Sequence, residues 1–185
     1  MSIADGTIHL ILGGARSGKS TRAEELASTS DRTVVYVATC RTSDLDAEMR
    51  RRIEHHRNRR PAAWVTLEDR YDLSGIAHEY PRSTILVDCL TLWIANEMDG
   101  AMDDDILSRL MSGLEAMVRQ GVSAVIVSNE VGMGIVPLGP ENRRYRDLVG
   151  RANQLVAQKA QNVDFMAAGL VMRLKDFGRP CNETG

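Results

Sequence analysis

Residues Gly13, Gly14, Ala15, Arg16, Ser17, Gly18, Lys19 and Ser20 read G-x-x-x-x-G-K-S, and no other stretch restricts the fold as much. Such a loop works only between a strand and a helix. An apolar run over residues 8–12 precedes it, and a helix-compatible stretch over 21–27 follows it. Gly13 and Gly18 admit backbone angles that other residues resist. Successive N–H groups then converge on one concavity and cradle phosphate oxygens. The helix N-terminus adds partial positive charge there. In loops of this kind the lysine, here Lys19, reaches the β- and γ-phosphates, and the serine, here Ser20, holds Mg²⁺. A glycine turn with a chance lysine is the bland alternative, and flanks of both required types weigh against it. The loop predicts binding of a nucleoside triphosphate.

The rest of the chain alternates between strand-like and helix-like stretches. Strand patterns cover residues 8–12, 34–38, 84–88, 124–128, 163–168 and 170–174, and helical patterns cover 20–27, 45–57, 90–98, 104–120 and 142–161. Strands that read as continuous Val/Ile/Leu runs are covered on both faces. The alternation predicts an α/β fold built on a doubly wound, mostly parallel sheet. A length of 185 residues with 43% hydrophobic content fits a single P-loop nucleotide-binding domain over residues 1–185. Residues 179–185 read as a frayed tail.

Composition removes several function classes. A formal net charge of −2 gives no global basic field to draw in nucleic acid. Cys40, Cys89 and Cys181 are far apart and form no CxxC pair, which suggests neither a zinc site nor a disulfide framework. No signal-peptide pattern opens the chain, and no apolar run is long enough to span a bilayer. The expectation is a soluble protein in the reducing cytoplasm.

Ligands of doubly wound sheets bind beyond the carboxyl ends of the strands, so the residues there are the ones to inspect. Asp88 ends an apolar strand pattern, the expected position of a Mg²⁺-holding Walker B acid. It would also serve as an N-cap for the next helix. Asn129 and Glu130 end another strand and enter a Gly/Pro-rich loop. They are either orienters of a hydroxyl or γ-phosphate, or a polar turn, and spacing alone does not choose. The densest basic run spans residues 50–60. It reads as a solvated helix face or a phosphate-binding patch. Leu45, Met49, Ile53 and His56 fall at i, i+4, i+8 and i+11, on one apolar stripe. His55 is turned about 100° away from it. His56 is therefore expected to face the protein body. A histidine on such a stripe is usually a core residue. Here arginines crowd it, and neighbouring cations favour the neutral imidazole, a competent nucleophile beside a phosphate.

These residues resemble the bifunctional adenosylcobinamide kinase/adenosylcobinamide-phosphate guanylyltransferase family of cobalamin biosynthesis. The resemblance runs almost end to end. It is carried by the P-loop, by Val35-Tyr36-Val37-Ala38-Thr39, by His56-Arg57 through Arg60-Pro61, and by Leu86-Val87-Asp88-Cys89-Leu90-Thr91. Its most specific parts are Asn129-Glu130-Val131-Gly132-Met133-Gly134-Ile135-Val136-Pro137 and Arg146-Asp147 through Gly150-Arg151-Ala152-Asn153-Gln154. The resemblance implies a RecA-like P-loop fold, a homotrimer and two reactions. In the first, a hydroxyl of adenosylcobinamide takes the γ-phosphate of GTP or ATP. In the second, GTP donates GMP to a histidine, and adenosylcobinamide phosphate then takes that GMP to give adenosylcobinamide-GDP.

The family's guanylylated histidine corresponds to His56. Its nucleotide contacts correspond to Gly13, Gly14, Ala15, Arg16, Ser17, Gly18, Lys19 and Ser20, to the turn Ala38, Thr39 and Cys40, to Arg57, Asn58, Arg59 and Arg60, and to Glu68. Its Walker B acid corresponds to Asp88, paired with Ser20 as the Mg²⁺ site. Two other readings compete. One is a single-activity P-loop small-molecule kinase with His56 structural. The other is an RNA-binding module using the basic run, which an aromatic content of 4% disfavours.

Overall fold

The structure is a computed structural model, and it describes residues 5–41, 51, 54, 57 and 60–181. Its elements run β1 (Ile8–Gly13), α1 (Lys19–Ser28), β2 (Val34–Ala38), β3 (Val65–Glu68), α2 (Leu73–Glu79), β4 (Thr84–Asp88), α3 (Leu90–Glu97), α4 (Asp103–Arg119), β5 (Ser123–Val127), α5 (Pro140–Lys159), β6 (Asn162–Ala167), β7 (Leu170–Asp176) and β8 (Arg179–Pro180). The eight strands form one sheet in the order β3-β2-β4-β5-β1-β6-β7-β8. The pairs from β3 to β6 are all parallel, and β7 and β8 add antiparallel to that edge.

Period-two alternation divides the strand side chains between two cores. Val35, Val37, Ile85, Val87 and Ile126 join Trp93 of α3, Leu110 of α4 and Leu148 of α5 in the larger one. Val34, Tyr36, Leu86, Val125 and Val127 face the other way and pack on Ala23 and Ala27 of α1. Helices thus cover both faces, as the unbroken apolar strand patterns require. Local chemistry fixes the helix ends. Asp72 caps α2 by accepting from the Gly75 amide at 3.0 Å. Asp103, Asp104 and Asp105 lie in the first turn of α4 and Arg119 in its last, complementing the helix dipole. Pro140 opens α5, where its missing N–H costs nothing.

Three expectations change. Residues 65–68 form β3, a strand the alternation alone does not reveal because it is a short sheet edge with one buried side chain, Leu67. Residues 179–180 are not frayed, since they pair with β7 as β8. Asp88 does not cap α3: the N-cap is Cys89, and no side chain supplies a capping bond. The helix expected over 45–57 lies outside the described residues except at Arg51, Glu54 and Arg57, which are helical.

Candidate active site

Parallel register brings the candidates to one edge. Ala38 aligns with Glu68 on one side and with Asp88 on the other. Asp88 aligns with Val127, and Val127 with Ile11, one turn of pleat before the P-loop. Four strand ends separated by up to 75 positions in the chain, Gly13, Ala38, Glu68 and Asp88, therefore open onto the same rim.

The P-loop has the backbone its glycines permit. Gly13 has φ +146° and Gly18 has φ +100°, both in the region that disfavours side chains. A Cβ on Gly13 would lie 2.3 Å from the Met166 carbonyl oxygen, a backbone atom that cannot swing aside. Gly18 is the N-cap of α1. The β6–β7 turn braces the loop, as the Gly169 amide donates to the Ser17 carbonyl at 3.0 Å. Glu130 does the same from the other side, its amide donating to the Gly13 carbonyl at 3.1 Å. Gly14, Ala15 and Arg16 are exposed at the crest, Ser17 is buried and Ser20 is half-buried.

Lys19 is buried, and its Nζ donates to the Gly14 carbonyl and lies 3.5 Å from Ser17 Oγ. Burial lowers its pKa below the ordinary lysine value, against the opposing pull of Cys89 and Asp88. A phosphate arriving in the loop favours the charged form and reverses that shift. Triphosphate binding at alkaline pH is therefore expected to take up protons, and affinity to fall as pH rises through the depressed Lys19 value. Titration calorimetry in two buffers of different ionisation enthalpy measures this. Equal heats in both buffers across the alkaline range would remove Lys19 from the phosphate site.

At the end of β4, Asp88 Oδ2 accepts from the Tyr36 hydroxyl at 2.7 Å. The Ala38, Thr39, Cys40 turn is clamped against the same strand end. Thr39 Oγ1 donates to the Cys89 carbonyl at 2.8 Å and accepts from the Cys89 amide at 2.7 Å, and the Thr39 amide donates to the Asp88 carbonyl at 3.2 Å. Asn96 Nδ2 of α3 holds the Thr39 carbonyl at 2.7 Å. Burial pushes the Cys40 and Cys89 thiols up, so neither is a thiolate nucleophile at neutral pH. Glu68 is exposed at the end of β3.

Asn129, left undecided by spacing, is part of a second clamp. Its Nδ2 donates to Thr91 Oγ1 at 3.0 Å, and its carbonyl accepts from Asn153 Nδ2 at 3.2 Å. Asn153 Oδ1 accepts from Ser128 Oγ at 2.6 Å. These bonds fix the end of β5 between α3 and α5. The Glu130 carboxylate accepts from the Gly132 amide at 2.7 Å, which makes it a turn-former in the loop that follows.

Arg57 is helical and exposed. The Arg60 guanidinium lies over the Tyr36 ring, 3.5 Å from its centroid. His56, Asn58 and Arg59 lie outside the described residues. Sequence reasoning passed over Tyr36 as a site residue. The available signal was an aromatic hydroxyl within an otherwise aliphatic buried strand, which needs a buried partner.

Among the described residues no cluster of three or more His, Cys, Asp or Glu side chains would hold a metal. Ser20 and Asp88 remain, and such a sparse oxygen set suits Mg²⁺, which is bound through one or two protein oxygens together with substrate phosphates. No helix among the described residues is long and apolar enough to cross a membrane.

A P-loop between the first strand and first helix of a mostly parallel sheet, with an acid at the end of β4 and β5 inserted between that strand and β1, defines a RecA-like P-loop NTPase fold. The fold is similar to that of the flagellar accessory protein FlaH from Methanocaldococcus jannaschii, with TM-score 0.53 and 15% identity over 94% of this chain and 80% of that one. It is also similar to an ATPase of the type III secretion system of pathogenic bacteria, with TM-score 0.56 and 14% identity over 93% of this chain and 59% of that one.

The chain belongs to the cobinamide kinase / cobinamide phosphate guanyltransferase family, which it matches over residues 9–174. It is 44% identical over 168 residues to the bifunctional adenosylcobalamin biosynthesis protein CobP of Pseudomonas aeruginosa, covering 90% of this chain and 96% of that protein. It is 39% identical over 181 residues to the bifunctional adenosylcobalamin biosynthesis protein CobU of Escherichia coli, covering 90% and 98%. The protein is thus a bifunctional transferase of cobalamin biosynthesis, with kinase and guanylyltransferase activities.

Proposed function

We propose that one P-loop domain carries out both reactions at the shared strand-end rim, with GMP carried on His56. The observation that carries this reading is the register that sets the P-loop, the Ala38 turn, Glu68 and Asp88 side by side, with Arg60 stacked at the same edge.

In the kinase step the corrinoid hydroxyl oxygen attacks the γ-phosphorus of GTP or ATP and releases its proton to solvent. The bond to the β-bridging oxygen breaks, and the nucleoside diphosphate leaves with that electron pair. Gly13 to Gly18 present backbone N–H groups to the phosphates, and Lys19 neutralises charge on them. Ser20 and Asp88 would hold Mg²⁺, which supplies further charge neutralisation.

In the transfer step the neutral His56 imidazole attacks the α-phosphorus of GTP, and pyrophosphate leaves. A phosphate oxygen of adenosylcobinamide phosphate then attacks the same phosphorus, the N–P bond breaks, and adenosylcobinamide-GDP forms. Arg57, Arg59 and Arg60 stabilise negative charge building on the α-phosphate. Asn58, Glu68 and the Ala38, Thr39 and Cys40 turn complete the nucleotide contacts.

Mass spectrometry after incubation with GTP tests the reading. The expected result is a protein heavier by one GMP, with the group localised to His56. An unmodified chain would leave a single-activity kinase.

The enzyme works as a homotrimer in the cytoplasm. Support for assembly comes from large apolar side chains left exposed, Ile135 at 97% and Leu138 at 98%, with Leu170, Met172 and Phe177 on and beside β7. Support for a reducing compartment comes from three free cysteines. Light scattering is expected to give a mass three times that of the 20.4 kDa chain. A monomer at working concentration would refute the trimer.

A further inference from the structure

Tyr36 occupies the point where two pieces of the rim meet. It is 2% exposed and sits in the smaller core, where an aliphatic side chain would fill space without burying a polar group. Its hydroxyl donates to Asp88 Oδ2 at 2.7 Å. No other hydrogen bond reaches the Asp88 side chain among the described residues, so this one sets the orientation of the carboxylate. The face of the ring carries the Arg60 guanidinium at 3.5 Å, well within the range of cation–π attraction. Arg60 Nε and Nη1 are buried without a hydrogen-bond partner among the described residues, which leaves the ring as the surface that seats them.

We propose that Tyr36 is a positioning residue that couples the two half-reactions. Its hydroxyl fixes Asp88 for the kinase step, and its ring fixes Arg60, at the end of the segment that bears His56, for guanylyl transfer. This rests on the roles given above to Asp88 and Arg60. A purely structural tyrosine would need neither contact, and phenylalanine would replace it without consequence.

Two substitutions separate the functions of one side chain. Tyr36→Phe keeps the ring and removes the hydroxyl. It is expected to lower kinase kcat roughly 10- to 100-fold, the usual cost of losing a group that orients a site ligand. Nucleotide KM and the rate of GMP-adduct formation hold near their parental values. Tyr36→Leu removes the ring as well. Adduct formation then falls too, and amide exchange at Arg60, whose N–H donates to the Arg57 carbonyl at 3.3 Å, speeds up in the nucleotide-free protein. Parental kinase turnover in Tyr36→Phe overturns the proposal. So does a parallel loss of both reactions in Tyr36→Phe that tracks a fall in Tm. Tyr36→Phe decides the matter by itself if Tyr36→Leu does not fold. Asp88→Asn separates the two levels of inference. Lost kinase turnover there supports the role of Asp88 independently of Tyr36, and retained turnover overturns that role and the proposal with it.

Discussion

Replacing His56 by alanine is expected to abolish the GMP adduct and the formation of adenosylcobinamide-GDP while kinase turnover continues. Removing a covalent nucleophile takes away the whole two-step route, and losses of at least about 10⁴-fold follow when a nucleophile is deleted. The arginines of the basic run remain, but the role proposed for them is to stabilise charge, and an always-protonated guanidinium cannot accept the nucleotide. The kinase step attacks the γ-phosphorus, and the residues proposed for it are on the P-loop and at the end of β4, so it is expected to proceed without the imidazole. The measurement is a pair of assays on one preparation: radiolabel retained from GTP labelled at the α-phosphate, and phosphorylated corrinoid from GTP labelled at the γ-phosphate. Undiminished α-label on the variant would move the nucleophile to another residue. Loss of both labels would tie the imidazole to the shared triphosphate pocket rather than to transfer alone.

Asp164→Asn is expected to destabilise the protein by about 3–5 kcal/mol, the cost of removing one partner from a buried ion cluster. For a chain of this size that lowers Tm by roughly 6–20 °C. Asp164 on β6 is 0% exposed and lies where the β6–β7 register shifts. Its Oδ2 pairs with His9 Nε2 of β1 at 2.9 Å and lies 3.8 Å from Arg22 Nε of α1. Arg173 Nε of β7 closes on Oδ1. Three strands and the P-loop helix thus share one carboxylate, and the amide of asparagine leaves their charges uncompensated.

Burial raises the pKa of Asp164, but the His9 hydrogen bond and the Arg173 charge outweigh it, and the net shift is downward. A carboxyl with a depressed folded pKa contributes stability that is fully present above its unfolded value, near 4. That contribution is lost as pH falls from there through the folded value. The parent is expected to lose stability steeply below about pH 4, and Asp164→Asn to show a shallower acid limb. Chemical denaturation across that range measures it. Equal slopes in the two proteins would show that Asp164 is not the group titrating.

Much of the machinery was legible because it is local. The P-loop needs only its own glycines, lysine and serine and the elements on either side, all within residues 8–27. The unbroken apolar runs at residues 34–38 and 84–88 announced strands covered on both faces, and the acid ending the second stood out as a Walker B candidate at a strand end. Its proposed capping role failed because the chain turns one residue later, at Cys89. The edge strand Val65–Glu68 escaped notice because pairing with β2, rather than its own pattern, makes it a strand.

By itself, the sequence determined the phosphate loop, the alternation of strand and helix and the family's motifs, since each depends on residues close together in the chain. Only the tertiary structure decided that β2 lies between β3 and β4, and so brought Tyr36 against Asp88, 52 positions away. It alone buried Asp164 beside His9, 155 positions away. Strand order and charge pairing of this kind come from hydrogen bonds and burial between distant segments. No periodicity along the chain encodes which strand another will lie beside, because the choice is made by competition among whole faces during packing.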